Sequence, residues 1–170
     1  MENLPNRKPN RIKNYDYSQR GSYFVTICTK DRKKLLSEIR VGTPVLGCPQ
    51  VNNELVCLKE YGQIADRCIK QLNEFYTSLS VDNYVIMPDH VHLLITIHSL
   101  NGHPGTGVPT RTSEIGRLVG TFKRFCNKKY GENIWQDRYY DHVVRNQQDY
   151  NEIWEYINYN PRKYLLMHTK

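Results

Sequence analysis

The sequence predicts an α+β fold, in which an antiparallel sheet of the ferredoxin-like or RRM-like type carries helices on one face. Segments with strand-like and helical patterns follow one another in the order β-α-β-β-α-β, and a further helix comes last. The chain has 170 residues, which fits a single domain. Apolar residues make up 39% of the chain and charged residues 24%, so we expect a globular protein rather than a disordered one.

The first half of the chain contains the predicted opening strand and the first core helix. Residues 22–29 are rich in β-branched and aromatic residues, which favour a strand. Residues 37–55 contain several Gly and Pro and a pair of Asn, which indicates a loop or a short hairpin before a strand-like segment at 55–58. Apolar residues at helical spacing between positions 60 and 76 predict the first helix.

The second half of the chain begins with two predicted strands, 81–87 and 90–97. Their corner lies at Pro88, because a proline cannot donate a hydrogen bond to a strand ladder. The remaining predicted elements are, in order, a loop over 99–112, a helix that opens at 112–114, a strand over 134–144 and a helix over 149–160 that Pro161 is expected to stop.

Positive charge is concentrated in two parts of the chain, whose formal net charge is +7. Residues 1–34 and residues 111–130 both carry an excess of basic side chains, while the rest of the chain is net negative. We expect residues 1–20 to form a basic N-terminal arm and residues 21–170 to form one domain. Together with 13 tyrosines, this charge suits contact with phosphates and stacked bases; a solvated basic surface is the alternative interpretation.

Cysteine usage and hydropathy indicate a cytoplasmic protein without a membrane partner. None of the apolar runs approaches the ~18 residues that a membrane span needs, and the first residues lack the apolar core of a secretory signal. The five cysteines form no C-x-x-C pair. We therefore expect reduced thiols and no structural zinc site.

His90 and His92 form the first candidate site. They lie two apart in a predicted strand, so both imidazoles point to the same face, while Val91 and Leu93 take the opposite face toward the core. Two imidazoles arranged in this way can bind one cation. A chance pair of histidines on the polar face of a strand is the alternative.

Tyr156 and Asn160 form the second candidate site. They lie four residues apart in the last predicted helix, so their side chains occupy one face, one turn apart. A phenol beside an amide oxygen can provide a nucleophile and a further metal ligand. Alternatively, Tyr156 packs in the core and Asn160 before Pro161 is an ordinary helix stop signal.

Three blocks of the sequence resemble the HUH-type tyrosine transposases. They are Tyr84–Leu94 (YVIMPDHVHLL), Trp135–Arg145 (WQDRYYDHVVR) and Tyr156–Pro161 (YINYNP), and they occur in the order typical of that family. The branch that the sequence resembles most is that of the REP-associated tyrosine transposases, which are domesticated relatives of single-strand insertion-sequence transposases. The resemblance implies a fold of the HUH endonuclease type.

The resemblance also implies the residues that carry the chemistry. His90 and His92 would be paired metal ligands, Asn160 a third ligand, and Tyr156 the nucleophile that forms a 5′-phosphotyrosine link and releases a 3′-hydroxyl. It further implies a Mg²⁺ or Mn²⁺ cofactor, single-stranded DNA with a hairpin as the partner, and a homodimer. Asp89 stands where the family often has Asn, which adds negative charge near the metal.

We expect a metal-dependent endonuclease and strand transferase, and two alternatives remain open. One is a catalytically silent module that binds single-stranded nucleic acid on an RRM-like sheet. The other is a phosphodiesterase that activates water and forms no covalent link. The candidates for DNA contact, each with a structural or solvated role as the alternative, are Arg7, Lys8, Lys123, Arg124, Gln136, His142 and Arg145.

Overall fold

The computed structural model describes residues 19–40, 50–51, 53–98 and 113–168. The predicted loop over 99–112, and the predicted N-terminal arm apart from residues 19 and 20, lie outside these ranges. In chain order the elements are β1 (Gly21–Cys28), a 3₁₀ turn (Lys30–Arg32), β2 (Ser37–Ile39), β3 (Gln50–Val51), β4 (Asn53–Leu58), α1 (Glu60–Phe75), β5 (Leu79–Ile86), β6 (His90–Ile97), α2 (Glu114–Tyr130), β7 (Tyr140–Val143) and α3 (Gln147–His168).

The main sheet has four strands in the order β5-β6-β1-β7, all antiparallel to their neighbours. This arrangement confirms the predicted α+β class and the predicted order of elements. The last strand is shorter than the predicted 134–144, because its first part leaves the ladder after a single bridge between Thr29 and Trp135. Trp135 instead fills the core against Phe122 of α2.

The two faces of the main sheet are covered by different helices. Val25, Leu93 and Tyr84 are in register on one face, and the Tyr84 hydroxyl donates to Asp66 of α1 at 2.7 Å. Helices α1 and α2 pack against each other on this face. The opposite face carries Thr26 and His92, and α3 lies against it. The predicted candidate site therefore lies between the sheet and α3.

Helix α2 begins at the point that the sequence predicts. The Ser113 hydroxyl accepts the backbone N–H of Gly116 at 3.1 Å, which is an ordinary N-cap. The helix ends at Gly131, whose φ of +77° lies in the left-handed region that favours glycine. On α1, Gly62 is required for a different reason, because a Cβ there would overlap the backbone carbonyl of Leu36.

A second, small sheet has the strand order β2-β4-β3 and is antiparallel throughout. It confirms the strand-like segment and part of the hairpin expected in this region. Cys57 of β4 is disulfide-bonded, whereas Cys28, Cys68 and Cys126 are free and buried. The expectation that all five thiols are reduced is therefore wrong. Cysteines without C-x-x-C spacing can still be brought within bonding distance by the fold, which spacing alone does not reveal.

Helix α3 continues through Pro161 to His168, so the prediction that Pro161 stops the helix is wrong. A proline inside a helix removes one hydrogen bond and costs about 3 kcal/mol. Tertiary packing offsets this cost, because Asn160 and Pro161 are buried and Tyr164 in the next turn packs against the core. Among the helices of the described ranges, none combines the length and apolarity that crossing a membrane would take.

Candidate active site

The paired histidines lie at the start of β6, and their side chains meet on the face covered by α3. The Nε2 atoms of His90 and His92 are 3.1 Å apart, and the ring centroids are 4.5 Å apart. His92 is almost fully buried, and His90 is partly exposed. The structure thus confirms that the alternation of the strand brings both imidazoles to one place.

Asp89 holds the ring of His90 in a fixed orientation. Its Oδ1 lies 2.6 Å from His90 Nδ1, and its Oδ2 lies 3.0 Å from Arg32 Nε. Burial raises the pKa of the Asp89 carboxyl, but His90 and Arg32 outweigh this effect and lower it below its usual value. Because an ionised carboxylate only accepts hydrogen bonds, His90 Nδ1 carries a proton, and its Nε2 faces His92.

Thr26 holds the second ring. Its Oγ1 lies 2.8 Å from Nδ1 of His92. Burial, together with the neighbouring His90 and Arg32, holds the pKa of His92 well below its usual range, so this imidazole is neutral. Since a hydroxyl can donate or accept, the His92 proton can move to Nδ1 and leave Nε2 free as a ligand.

The donor set of this site fits a divalent cation. Two ligands on adjacent corners of an octahedron, each about 2.1 Å from Mg²⁺, are about 3 Å apart, which is close to the separation of the two Nε2 atoms. Without a cation, one of the two Nε2 atoms carries a proton and donates it to the other. The described residues contain no cluster of three His, Cys, Asp or Glu, so a third protein ligand must be of another type.

Asn160 has the properties of that third ligand. It is buried on α3, and its side-chain amide has no hydrogen-bond partner within the described part of the chain. It lines a cavity of about 270 Å³ together with His90, His92 and Tyr156. An amide oxygen that faces a cavity without a protein partner is able to bind a cation.

Tyr156 lies one helical turn before Asn160 and faces the same cavity. Its ring makes edge contacts with Phe24, at a centroid distance of 5.8 Å, and with His92, at 5.4 Å. The side chain is 41% exposed, and its hydroxyl has no hydrogen-bond partner among the described residues. The phenol is therefore fixed by its ring while its oxygen remains available.

Polar contacts attach α3 to the sheet on either side of Tyr156. The hydroxyl of Tyr150 donates to Asp82 Oδ2 at 3.1 Å. The amide of Asn83 donates to Asn158 Oδ1 at 3.2 Å. These contacts come from β5, where a register shift between Val81 and Asn83 turns both polar side chains toward α3.

The remaining predicted DNA contacts lie outside this cavity. Lys123 donates through Nζ to the backbone carbonyls of residues 136–138, at 2.6 to 3.3 Å, so its charge is used within the fold. Arg124 is exposed on α2, and His142 contacts Asp149 near the start of α3. Gln136 lines a second cavity, described below, the side chain of Arg145 is exposed, and Arg7 and Lys8 lie outside the described residues.

The structure adds two cations that the sequence analysis did not identify. Arg32 and Lys163 both line the cavity with the histidines and Tyr156. Lys163 follows Asn160 by three residues on α3, so helical spacing from Tyr156 could have indicated it once the helix was known to continue past Pro161. Arg32 could not have been found in this way, because a turn with unusual dihedrals brings it to the site.

Comparisons with known proteins identify several relatives of this chain. No family model matches the sequence. A Haemophilus influenzae protein of uncharacterised function is 29% identical over 93% of this chain and 89% of that protein. A second protein from the same organism, named provisionally as a REP-associated tyrosine transposase, is 28% identical over 88% of this chain and 74% of its own length. The REP-associated tyrosine transposase of Escherichia coli K12 is 30% identical over 49% of this chain and 45% of its own.

Among solved structures, a REP-associated tyrosine transposase bound to a REP hairpin has the same fold. Its TM-score is 0.57 at 19% identity, covering 91% of this chain and 74% of that one. The shared fold and the two named relatives agree with the resemblance of the sequence to the HUH-type tyrosine transposases. The two relatives that carry a functional name are both named as REP-associated tyrosine transposases, one of them provisionally.

Proposed function

We propose that this protein is a transposase, a metal-dependent endonuclease and strand transferase that cuts single-stranded DNA beside a hairpin. The observation that carries the proposal is the shared cavity of Tyr156, His90, His92 and Asn160. The ring of Tyr156 packs against Phe24 and His92, while its hydroxyl is left without a partner among the described residues, beside two imidazoles and an amide. This is the arrangement expected for nucleophilic attack on a phosphodiester.

In the proposed reaction, the Tyr156 oxygen attacks the phosphorus in line with the bond to be broken. A bond forms between the phenolic oxygen and the 5′-phosphate, and the P–O3′ bond breaks. The phenol loses its proton, and the departing 3′-oxygen gains one. The number of phosphodiester-type bonds is unchanged, so the released 3′-hydroxyl can attack the phosphotyrosine and restore the original strand. The 3′-hydroxyl of another DNA end can attack it instead, which joins that end to the strand held by the protein.

A divalent cation, Mg²⁺ or Mn²⁺, would be held by His90, His92 and Asn160. When bound, such an ion supplies positive charge that stabilises the charge developing on the phosphate. The residues of the chain orient the ligands and provide further charge. Asp89 and Thr26 fix the two rings, and Lys163 lies where it can contact a phosphate oxygen.

Two features support hairpin DNA as the partner and a complete site in one chain. The structural neighbour is bound to a REP hairpin, and we extend that substrate class to this protein. The nucleophile and the histidines of one chain already share a cavity, so the proposed chemistry does not require a second copy. We further propose that residues 21–170 form the catalytic domain, that the basic N-terminal arm adds DNA contacts, and that the protein acts in the cytoplasm.

Covalent trapping tests the proposal directly. Hairpin oligonucleotides with unpaired flanks are labelled at the 5′ end or at the 3′ end, incubated with protein and Mn²⁺, and separated under denaturing conditions. We expect the 3′ label to remain attached to the protein and the 5′ label to be released. Tyr156→Phe should abolish the adduct, while Tyr159→Phe, a change at an exposed neighbour on the same helix, should leave it intact.

The alternatives give different results in the same experiment. If the wild-type protein binds the hairpin but never forms an adduct or a nick, it is a nucleic-acid-binding module. If it nicks the DNA without an adduct, and Tyr156→Phe still does so, water is the nucleophile. Either result would overturn the proposed covalent mechanism.

A further inference from the structure

A second cavity, of about 650 Å³, lies beside the one that holds Tyr156. Arg32 lines both cavities, so the two are neighbours. The volume falls within the roughly 300–1,000 Å³ range of small-molecule sites in proteins. Nothing in the proposed cleavage reaction uses this second cavity.

The walls of the second cavity are held rigid by the fold. The backbone N–H of Gln136 donates to the carbonyl of Cys28 at 2.9 Å, and the Lys123 ammonium group donates to the carbonyls of Gln136 and Asp137. On the opposite wall, Asp31 and Arg32 have φ values of +53° and +55°, in the left-handed region that non-glycine residues rarely adopt. Backbone strain of this kind is found mainly at functional sites.

Several polar side-chain groups of this cavity have no hydrogen-bond partner among the described residues. Tyr140 is 56% exposed and lies opposite Thr26 in the sheet, on the same face as the histidines. Within the described ranges, its hydroxyl, the Gln136 amide and the Asp137 carboxylate make no side-chain hydrogen bond. Lys30 adds an exposed cation at the rim.

We infer that this second cavity binds one unpaired nucleobase next to the phosphate that is cut. The inference rests on the proposed function and identifies where the enzyme reads its DNA. Tyr140 provides a face on which the base stacks, because every base has a π-surface and an exposed tyrosine on a sheet is a common platform. Lys30 and Arg32 contact the adjoining phosphates, and Arg32 thereby links the bound base to the cleavage site.

Gln136 and Asp137 determine which base is preferred. An ionised carboxylate only accepts hydrogen bonds, so Asp137 selects a base edge that donates them. The Gln136 amide can pair with a donor and an acceptor on the same edge. We therefore expect bases with an exocyclic amino group to be favoured over thymine at this position.

An abasic scan tests the inference without cleavage. The Tyr156→Phe protein is titrated with fluorescent hairpins, each lacking one base in the unpaired flank, and affinity is measured by anisotropy. One position next to the cut site should lose about 5- to 100-fold in affinity when its base is removed, as is typical of a stacked base. In the double variant with Tyr140→Leu, that position should no longer differ from the others. Phe75→Leu, an equally exposed aromatic far from the site, is the matched control.

Base identity gives a second, independent measurement. At the position found in the scan, thymine should bind more weakly than the amino-bearing bases, and Asp137→Asn should reduce this preference without changing the melting temperature. The inference would be overturned if no position of the abasic scan differed from the others in affinity. It would also be overturned if neither Tyr140→Leu nor Asp137→Asn changed the base preference. Adduct formation by the wild type on the same hairpins separates the two proposals. If no adduct forms, the covalent mechanism is overturned. If adducts form normally but no abasic position loses affinity, only the base pocket is overturned.

Discussion

Asp89 and His90 are joined by a hydrogen bond of 2.6 Å between Oδ1 and Nδ1, and the second oxygen of the same carboxylate contacts Arg32. The Asp89 side chain therefore fixes the tautomer of His90, a proposed metal ligand, and forms an ion pair with Arg32. In proteins, such partners of ligating histidines typically change metal affinity by 10- to 100-fold when they are removed.

We predict that Asp89→Ala weakens Mn²⁺ binding by about 10- to 100-fold. Asp89→Asn should have a smaller effect, because an amide oxygen can still accept the hydrogen bond from His90 while the negative charge is lost. Calorimetry or the electron paramagnetic resonance of Mn²⁺ measures this directly, without DNA. Glu38→Ala, at an exposed carboxylate of the small sheet, is the control. Equal affinity in wild type and Asp89→Ala would contradict the assignment.

Lys163 is predicted to accelerate adduct formation by binding the phosphate. Lys163→Gln removes one positive charge from the cavity, so the single-turnover rate of adduct formation should fall on the order of 10-fold. High salt should slow the wild type more than the variant. Salt screens the attraction between Lys163 and the phosphate, and the variant already lacks this attraction. Arg162→Gln, at the neighbouring exposed residue, should change the rate less than twofold. Identical rates for Lys163→Gln and wild type would exclude the role.

Asp149 is predicted to make the anchoring of α3 sensitive to acid. Desolvation raises the pKa of this carboxyl, but the backbone N–H of Arg145 and the ring of His142 outweigh it and lower the pKa. A carboxyl whose pKa is lower in the folded than in the unfolded protein stabilises the fold at pH values above its unfolded-state pKa, which is near 4. This contribution is lost as the pH falls through the folded-state pKa. Asp149→Asn should therefore reduce the free energy of unfolding at pH 7 by less than about 1 kcal/mol, because the pair is exposed and screened by solvent.

Urea denaturation at several pH values measures this effect. The difference between wild type and Asp149→Asn should shrink below pH 4 and disappear once the wild-type carboxyl is protonated. Glu155→Gln, at an exposed residue of the same helix, should show little difference at any pH. A gap that stays constant down to pH 2 would argue against the ionised carboxylate as the cause.

Two glycines in helices should respond to alanine in opposite ways. Gly62→Ala should destabilise the protein by about 1–3 kcal/mol, because its Cβ would overlap the carbonyl of Leu36. Gly120→Ala should stabilise it by about 0.5–1 kcal/mol, since nothing lies near its Cβ and alanine is the better helix former. Thermal unfolding of both variants checks the pair. A stabilising Gly62→Ala would show that the contact between α1 and Leu36 is looser than described.

The strands and the paired histidines could be predicted because their signals are local. Alternation along β6 places His90 and His92 on one face regardless of what packs against that face. The spacing of Tyr156 and Asn160 likewise depends only on the helix. These local patterns, together with three ordered sequence blocks, were sufficient to indicate the fold and the central cavity.

The rest depends on packing, which the sequence pattern does not contain. Helix α3 passes through Pro161 because burial of that residue and of Tyr164 outweighs the missing hydrogen bond. Arg32 reaches both cavities through left-handed backbone dihedrals, which no spacing rule anticipates. The charge of Lys123 resembles that of a DNA contact in the sequence, yet three backbone carbonyls bind it.

Tyr156 and Asn160 come from one helix, while the histidines belong to the sheet, so the site is divided between two parts of the molecule. A small rotation or slide of α3 would displace the phenol and the amide together and leave the imidazoles in place. Any change that displaces α3 should therefore remove the nucleophile and the third ligand at once, while the two imidazoles keep their relative positions.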